Sequence, residues 1–201
     1  MNKKNCHQHC NFLRHPTFHS MTLTYQLDQN DFLQHQLFLA SKTDRIKKKR
    51  TKSWLIVSGT MFLLAFLFYQ SNNSFLSYYF LAFGIATLIF YPLYQRQQYK
   101  NHYAKFIADT YKNRFGKTAN IHFAESVIET NDVTGESKIN LSELENVTET
   151  GEYFYPSLKT GGHLIIPKSK ISDVSQLRQE LRQLCERLKI NFIEDLNWKW
   201  K

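Results

Sequence analysis

Residues 54–69 read WLIVSGTMFLLAFLFY and residues 75–94 read FLSYYFLAFGIATLIFYPLY, with the polar connection QSNNS between them. As α-helices with a rise of 1.5 Å per residue, these two apolar stretches would be about 24 Å and about 30 Å long, close to the hydrocarbon thickness of a bilayer. Neither stretch contains a charged side chain, so neither has the polar face that a helix of a soluble domain turns to water. The sequence therefore predicts two transmembrane helices joined in a hairpin.

Charge is divided unequally around this hairpin. Residues 1–53 carry ten basic and three acidic side chains, whereas residues 95–201 carry sixteen and fourteen. The formal net charge of +9 therefore comes mainly from the N-terminal part. A nucleic-acid-binding domain needs basic residues clustered on its folded surface, so no nucleic-acid partner is expected.

The basic residues of the N-terminal part form a run directly before the first apolar stretch. Cationic residues at such a flank mark the cytoplasmic side of a membrane, and the connection QSNNS contains none. Arg96, Lys100 and Lys105 follow the second stretch in the same way. We therefore expect a multi-pass protein of the cell membrane with both termini in the cytoplasm. The residues of the run that we predict to contact lipid headgroups are Lys47, Lys48, Lys49 and Arg50.

The two apolar stretches contain no ionisable side chain of the kind that an ion or proton path through the membrane requires. Small residues lie at Gly59 and Gly84, one in each stretch. Such residues let membrane helices approach closely, so we predict that both glycines serve helix packing.

Residues 1–20 contain a cluster of possible zinc ligands, Cys6, His7, His9 and Cys10. A structural zinc site needs ligand pairs that a fold brings together, and no apolar pattern here predicts such a fold. The run from Met21 onward reads like a natural start, so we predict residues 1–20 to be disordered or an upstream extension. No cofactor is expected, and metal binding by the cluster stays open.

Residues 21–53 form an N-terminal arm on the cytoplasmic side. Alternating apolar residues from Leu23 to Leu27 predict a strand, and helical spacing after it predicts a helix that begins near Asn30 or Asp31. The arm is too short for a core of its own. We expect it either to pack on the C-terminal domain or to lie along the bilayer surface.

Residues 95–201 are predicted to form a cytoplasmic domain. Aromatic residues at helical spacing extend the second apolar stretch, and alternating apolar residues after Lys117 predict antiparallel strands as far as Pro167. A last helix is predicted to begin near Ser172 or Asp173. The fold class is thus an α+β membrane protein, in which a small antiparallel β-sheet domain closed by a C-terminal helix follows a two-helix transmembrane hairpin.

Three runs, YKNRFGKT at 111–118, GESKINLS at 135–142 and LIIPK at 164–168, follow the two apolar stretches in this order. With them the chain resembles the YcxB-like family of small bacterial membrane proteins over roughly residues 22–190. The resemblance implies a C-terminal domain similar in layout to pleckstrin-homology-like (PH-like) folds, a curved antiparallel sheet closed by one helix. It therefore implies a binding module, and it carries no active-site residues.

Catalytic motifs such as a phosphate-binding loop, a nucleophile elbow or a zinc-protease helix do not occur in the chain. His122 and His163 are interpreted as ordinary strand residues. Alternating acidic residues between turns usually form a solvated strand face. We interpret one such group in this way, and its members are Glu143, Glu145, Glu149 and Glu152. A non-enzymatic protein is therefore expected.

The expected function is binding of a partner protein or a lipid headgroup by the cytoplasmic module at the inner membrane face. Lys138, Lys168 and Lys170 are candidate headgroup contacts, although solvated lysines are the ordinary interpretation. The C-terminal WKWK, residues 198–201, either dips into the membrane interface or frays. The alternative function is that of an accessory subunit or regulator of a transporter or envelope machine, docked through the hairpin. The sequence leaves the ligand, the partner and the oligomeric state open.

Overall fold

The computed structural model describes residues 20–201. The predictions for residues 1–19, including those for Cys6, His7, His9 and Cys10, lie outside the described residues. The described helices are α1 (Gln29–Lys42), α2 (Asp44–Gln70), α3 (Ser74–Thr110) and α4 (Val174–Leu188). The described strands are β1 (Met21–Gln26), β2 (Thr118–Phe123), β3 (Val127–Asp132), β4 (Gly135–Asn140), β5 (Leu144–Thr150), β6 (Tyr153–Leu158), β7 (Ile166–Pro167) and β8 (Asn191–Asp195).

Two helix starts follow from their capping residues. The side chain of Asp28 accepts a hydrogen bond from the backbone N–H of Asp31, and the Asp31 side chain accepts one from the backbone N–H of Asp28, which forms a capping box. Asp173 caps α4 by accepting from the N–H of Gln176. Both helices begin within two residues of their predicted positions, because the capping residues are local signals in the sequence.

The two long helices, α2 and α3, contain the apolar stretches and extend beyond them. α2 includes the basic run and the first stretch, while α3 continues past the second stretch without a break as far as Thr110. Both helices are long and apolar enough to cross a membrane, by length and composition. Only 11% of the residues in each apolar window are buried, so most of their apolar side chains face outward.

Polar side chains join α2 to α3 at both ends of the hairpin. Near the connection, the buried Ser77 hydroxyl donates to the carbonyl oxygen of Ala65 at 2.9 Å. At the other end, the hydroxyl oxygens of Ser53 and Tyr91 lie 2.8 Å apart. These contacts keep the two helices side by side along their apolar length.

The two glycines that were predicted to serve helix packing have different surroundings. A Cβ atom added at Gly84 would lie 2.9 Å from the ring of Phe62, so Gly84 belongs to the contact between α2 and α3. A Cβ atom added at Gly59 would meet nothing within 4 Å. Gly59 therefore takes no part in packing within the hairpin, whereas the neighbouring Ser58 is buried.

The strands form two four-stranded sheets. Sheet A has the order β1-β2-β3-β4 and is antiparallel throughout. Sheet B has the order β7-β6-β5-β8, and its edge strand β8 runs parallel to β5. Antiparallel strands and the closing helix were predicted, but as one small sheet, whereas the structure divides the strands between two sheets. β8 was missed, because five residues with exposed polar positions give too weak an alternation to predict a strand.

β1 comes before the hairpin in the chain and β2 comes after it, yet the two strands pair along their whole length. Met21 lies opposite Phe123, and Gln26 lies opposite Thr118. Of the two placements expected for the N-terminal arm, the structure shows packing on the C-terminal part. Residues 21–53 and 95–201 thus form one folded unit, and both flanks of the hairpin lie at the same end of it.

The buried apolar side chains form two clusters. The first joins the sheets to α4 and includes Leu23, Phe123, Phe154 and Leu181. The second joins α1, α3, sheet B and the C-terminal segment, and its members include Phe38, Ile107, Tyr155 and Trp200. The second cluster fixes the folded unit against the two long helices.

The contrast between the glycines gives a test of the hairpin contact. Gly84→Leu must displace the Phe62 ring, and overpacking of this kind costs about 1–3 kcal/mol. We expect it to lower the thermal unfolding midpoint of the full-length protein in detergent, while the control Gly59→Leu leaves the midpoint unchanged. Equal midpoints for the two variants would contradict this contact.

Candidate functional site

A groove of about 730 Å³ lies beside α3, at the point where the apolar stretch of this helix ends. Its walls come from α1, from α3, from the turn between β5 and β6, and from the C-terminal segment 196–200. The groove lies between elements that are distant in sequence, and the second buried cluster holds those elements together. Its shape therefore depends on the folded unit as a whole.

Three basic side chains line the groove, Arg96 and Lys100 from α3 and Lys199 from the C-terminal segment. All three residues are exposed, and none forms a salt bridge with a carboxylate among residues 20–201. The acidic residue in the lining is Glu152. The charged lining thus has a net charge of +2, and such a concave surface attracts anions.

Apolar side chains line the same groove beside these cations. Leu93 from the end of the apolar stretch is 58% exposed, and Leu196 from the C-terminal segment is 47% exposed. Arg96 follows Leu93 by less than one helical turn. The groove therefore offers both cationic and apolar contacts, a combination that suits an amphiphilic molecule with an anionic end.

The C-terminal segment is held in place by two tryptophans. The indole N–H of Trp198 donates to the Ser41 hydroxyl at 2.9 Å, and that of Trp200 donates to the carbonyl oxygen of Arg96 at 3.1 Å. The Arg50 guanidinium lies 4.9 Å from the ring centre of the buried Trp200. The expectation that this segment frays is therefore wrong, because its tryptophans find partners on α1, α2 and α3. Its insertion into the membrane interface stays a prediction.

Arg50 was predicted to contact lipid headgroups, and the structure places it elsewhere. Its guanidinium donates to the carbonyl oxygen of Lys201 at 2.8 Å and also lies over the ring of Tyr99. Its own carbonyl oxygen accepts a hydrogen bond from the Gln95 side chain at 3.2 Å. Arg50 thus links α2, α3 and the C-terminal segment.

The other three residues predicted to contact headgroups lie on α2 outside the groove. Lys47, Lys48 and Lys49 are exposed, and the ammonium group of Lys47 lies 3.6 Å from a carboxylate oxygen of Asp44. Lys47 and Lys48 border a shallow surface that continues onto the apolar stretch at Leu55. The structure therefore keeps these lysines at the flank of the apolar stretch without joining them to the groove.

A buried ion-pair network supports the groove wall at the β5–β6 turn. The carboxylate of Glu149, which is fully buried, accepts hydrogen bonds of 2.6–3.0 Å from the Arg178 guanidinium and one of 2.6 Å from the Lys168 ammonium group. The Lys168 ammonium group also donates to the carbonyl oxygen of Thr150. Burial alone raises the pKa of Glu149, but the hydrogen bonds from Arg178 and Lys168 outweigh it and leave the pKa below its usual value.

This network corrects the interpretation of Glu149 as part of a solvated strand face. α4 covers β5 and brings Arg178 onto the carboxylate, which strand alternation alone does not reveal. The candidate headgroup contacts are corrected as well, since each lysine pairs within the protein. Lys138 pairs with Glu129 at 2.8 Å, and Lys170 pairs with Asp31 at 2.5 Å.

His35, His122 and His163 lie apart from the groove. His122 shares a hydrogen bond of 2.8 Å with the Thr22 hydroxyl, while the rings of His35 and His163 are 5.4 Å apart. Burial, together with the neighbouring His163, lowers the pKa of His35 to about 4. Within residues 20–201, no three His, Cys, Asp or Glu side chains are grouped to hold a metal ion.

Comparison of the chain with protein-family models, with curated proteins and with solved structures gave no match. Its class is therefore defined by its fold and its groove. It is an α+β protein in which two long apolar helices carry one folded unit, with a basic groove beside their junction.

The Glu149 network gives a stability prediction. Removing one partner of a buried ion pair costs about 3–5 kcal/mol, so Glu149→Ala should strongly lower the free energy of unfolding in detergent. The control Glu145→Ala removes an exposed carboxylate of the same strand and should have little effect. Similar losses for both variants would contradict the network.

The pH dependence of stability follows from the lowered pKa of Glu149. Because the pKa of Glu149 is lower in the folded state, its ionised form stabilises the fold above the pKa of an unfolded glutamate. This contribution is lost as the pH falls through the folded-state pKa. Glu149→Gln should therefore reduce the fall in the free energy of unfolding as the pH is lowered. An unchanged pH profile would contradict the lowered pKa of Glu149.

Proposed function

We propose that this protein is a non-enzymatic integral protein of the bacterial cell membrane whose folded unit lies at the inner face and binds anionic lipid headgroups. The observation that carries the proposal is the groove lined by Arg96, Lys100 and Lys199, three cations without carboxylate partners among the described residues, directly beside an apolar stretch. In this proposal α2 and α3 are transmembrane helices, and both termini are cytoplasmic.

Three features of the helices support the membrane arrangement. Their apolar stretches contain no charge, and most of the side chains there face outward. Pairing of β1 with β2 places both flanks at one end, as two crossings of a bilayer require. Basic residues lie on both flanks and none in the connection, which favours a cytoplasmic location for the flanks.

The depth of the cations supports headgroup binding. Arg96 and Lys100 follow Tyr94 by two and six residues, which is about 3 Å and 9 Å along the helix. The headgroup layer extends about 5–8 Å beyond the hydrocarbon core on each side. A lipid phosphate in that layer thus lies within reach of both side chains, and the exposed Leu93 lies beside the acyl chains.

The layout of the folded unit supports membership in the YcxB-like family, and with it a PH-like binding module. The antiparallel strands of sheets A and B, together with the closing helix α4, agree with a curved sheet closed by one helix. The parallel strand β8 after α4 is an addition to that layout.

The alternative, docking of the hairpin onto a transporter or envelope machine, is favoured by one observation. Gly59 lies on an open face of α2, where an added Cβ atom would meet nothing within 4 Å. A helix of another protein would be able to approach closely at this point.

Native mass spectrometry of the full-length protein in detergent tests headgroup binding. We expect phosphatidylglycerol to be retained over phosphatidylcholine, and the double variant Arg96→Glu/Lys100→Glu to reduce its retention at least tenfold. The matched control Lys112→Glu/Lys117→Glu reverses the same number of charges in the segment between α3 and β2 and should keep the retention.

Equal retention of the two lipids, or equal losses in the two double variants, would overturn the proposal. Unchanged retention in the groove variant, together with a protein crosslink in native membranes that Gly59→Leu abolishes, would support the docking alternative in its place.

A further inference from the structure

The groove contains opposite charges that do not pair with one another. Glu152, at the turn between β5 and β6, lines the groove together with Arg96, Lys100 and Lys199. No oxygen of its carboxylate lies within 4.0 Å of any of these cations, since none of them forms a salt bridge among residues 20–201. The cationic and acidic sides of the groove are therefore separated by a gap.

Further hydrogen-bonding groups lie beside this gap. The amide side chains of Gln34 on α1 and Gln97 on α3 line the groove. Their NH₂ groups donate to Asn30 and Asn101 respectively, so their carbonyl oxygens remain as acceptors. With the carboxylate of Glu152, the groove thus has acceptors for hydroxyl groups as well as cations for a phosphate.

We propose that the groove selects an anionic phospholipid whose phosphodiester carries a polyol, with the phosphate on the cations and the hydroxyl groups on Glu152 and the two glutamine carbonyls. This inference rests on the proposed function and specifies its ligand. A polyol bridges the gap, because its hydroxyls donate to the acceptors that the cations leave free.

Charge distinguishes a polyol from an ammonium headgroup. The charged lining has a net charge of +2, and one phosphodiester reduces the total to +1. An ammonium group on the same headgroup would restore it to +2, despite its attraction to Glu152. An uncharged hydroxyl donor therefore suits the groove better than an ammonium group.

Phosphatidylmethanol is the appropriate reference lipid, since it has the same phosphodiester charge as phosphatidylglycerol and no hydroxyl groups. In a competition measured by native mass spectrometry on the full-length protein, we expect phosphatidylglycerol to be retained about fivefold to tenfold over phosphatidylmethanol. Glu152→Ala leaves no side-chain acceptor at this position, so it should remove most of this preference without reducing retention of phosphatidylmethanol. Glu186→Ala, at an exposed position on α4 outside the groove, is the matched control and should keep the preference.

The outcomes separate the two proposals. Equal retention of both anionic lipids, each above phosphatidylcholine, would overturn polyol selection and keep headgroup binding. A preference that survives in Glu152→Ala would overturn the role of this carboxylate. If neither anionic lipid were retained over phosphatidylcholine, the proposed function itself would be overturned. Stronger retention of phosphatidylethanolamine than of phosphatidylglycerol would contradict the charge argument and with it the selection of a polyol.

Discussion

Pairing of β1 with β2 is the constraint on which the rest of the structure depends. These strands lie on opposite sides of the two long helices in the sequence, so that Thr22 and His122 face each other across 100 residues. The chain must therefore return to its starting side after α3. This return brings α1 against α3 and builds one core from both flanks. In the proposed membrane arrangement, the pairing of β1 with β2 also requires the chain to cross the bilayer twice instead of once.

Contacts between the flanks then determine where the groove lies. Arg50 and Gln95 join α2 to α3, and the Trp200 ring packs under the Arg50 guanidinium. A cation–π contact of this kind contributes about 0.5–2 kcal/mol, and the buried indole adds its hydrogen bond to Arg96. The C-terminal segment is thereby held beside α3, so that Lys199 and Lys100 line the same groove. On the headgroup proposal, these contacts keep the groove at a constant depth in the headgroup layer.

The sequence alone predicts the features that depend on local pattern. The charge-free stretches, the start of α1 near Asp31 and the start of α4 at Asp173 follow from composition, period and capping. The candidate site was not predicted, since Arg96 and Lys100 were read only as a basic flank that indicates membrane orientation, and the lipid contacts were expected on α2. What each polar side chain contacts depends on elements far away in the sequence. Glu149 is therefore buried under α4, and the Arg50 guanidinium lies over the Trp200 ring, although both have the local pattern of exposed residues.

The placement of the hairpin and its flanks is the central claim, and cysteine labelling in intact cells tests it most directly. Ser71 in the connection and Ser172 before α4 are exposed, and each is replaced by cysteine in a chain whose own Cys6, Cys10 and Cys185 have been substituted. A membrane-impermeant maleimide should label the cysteine at position 71 in intact cells and the cysteine at position 172 only after permeabilisation. Labelling of position 172 in intact cells, or protection of position 71 until permeabilisation, would contradict the account.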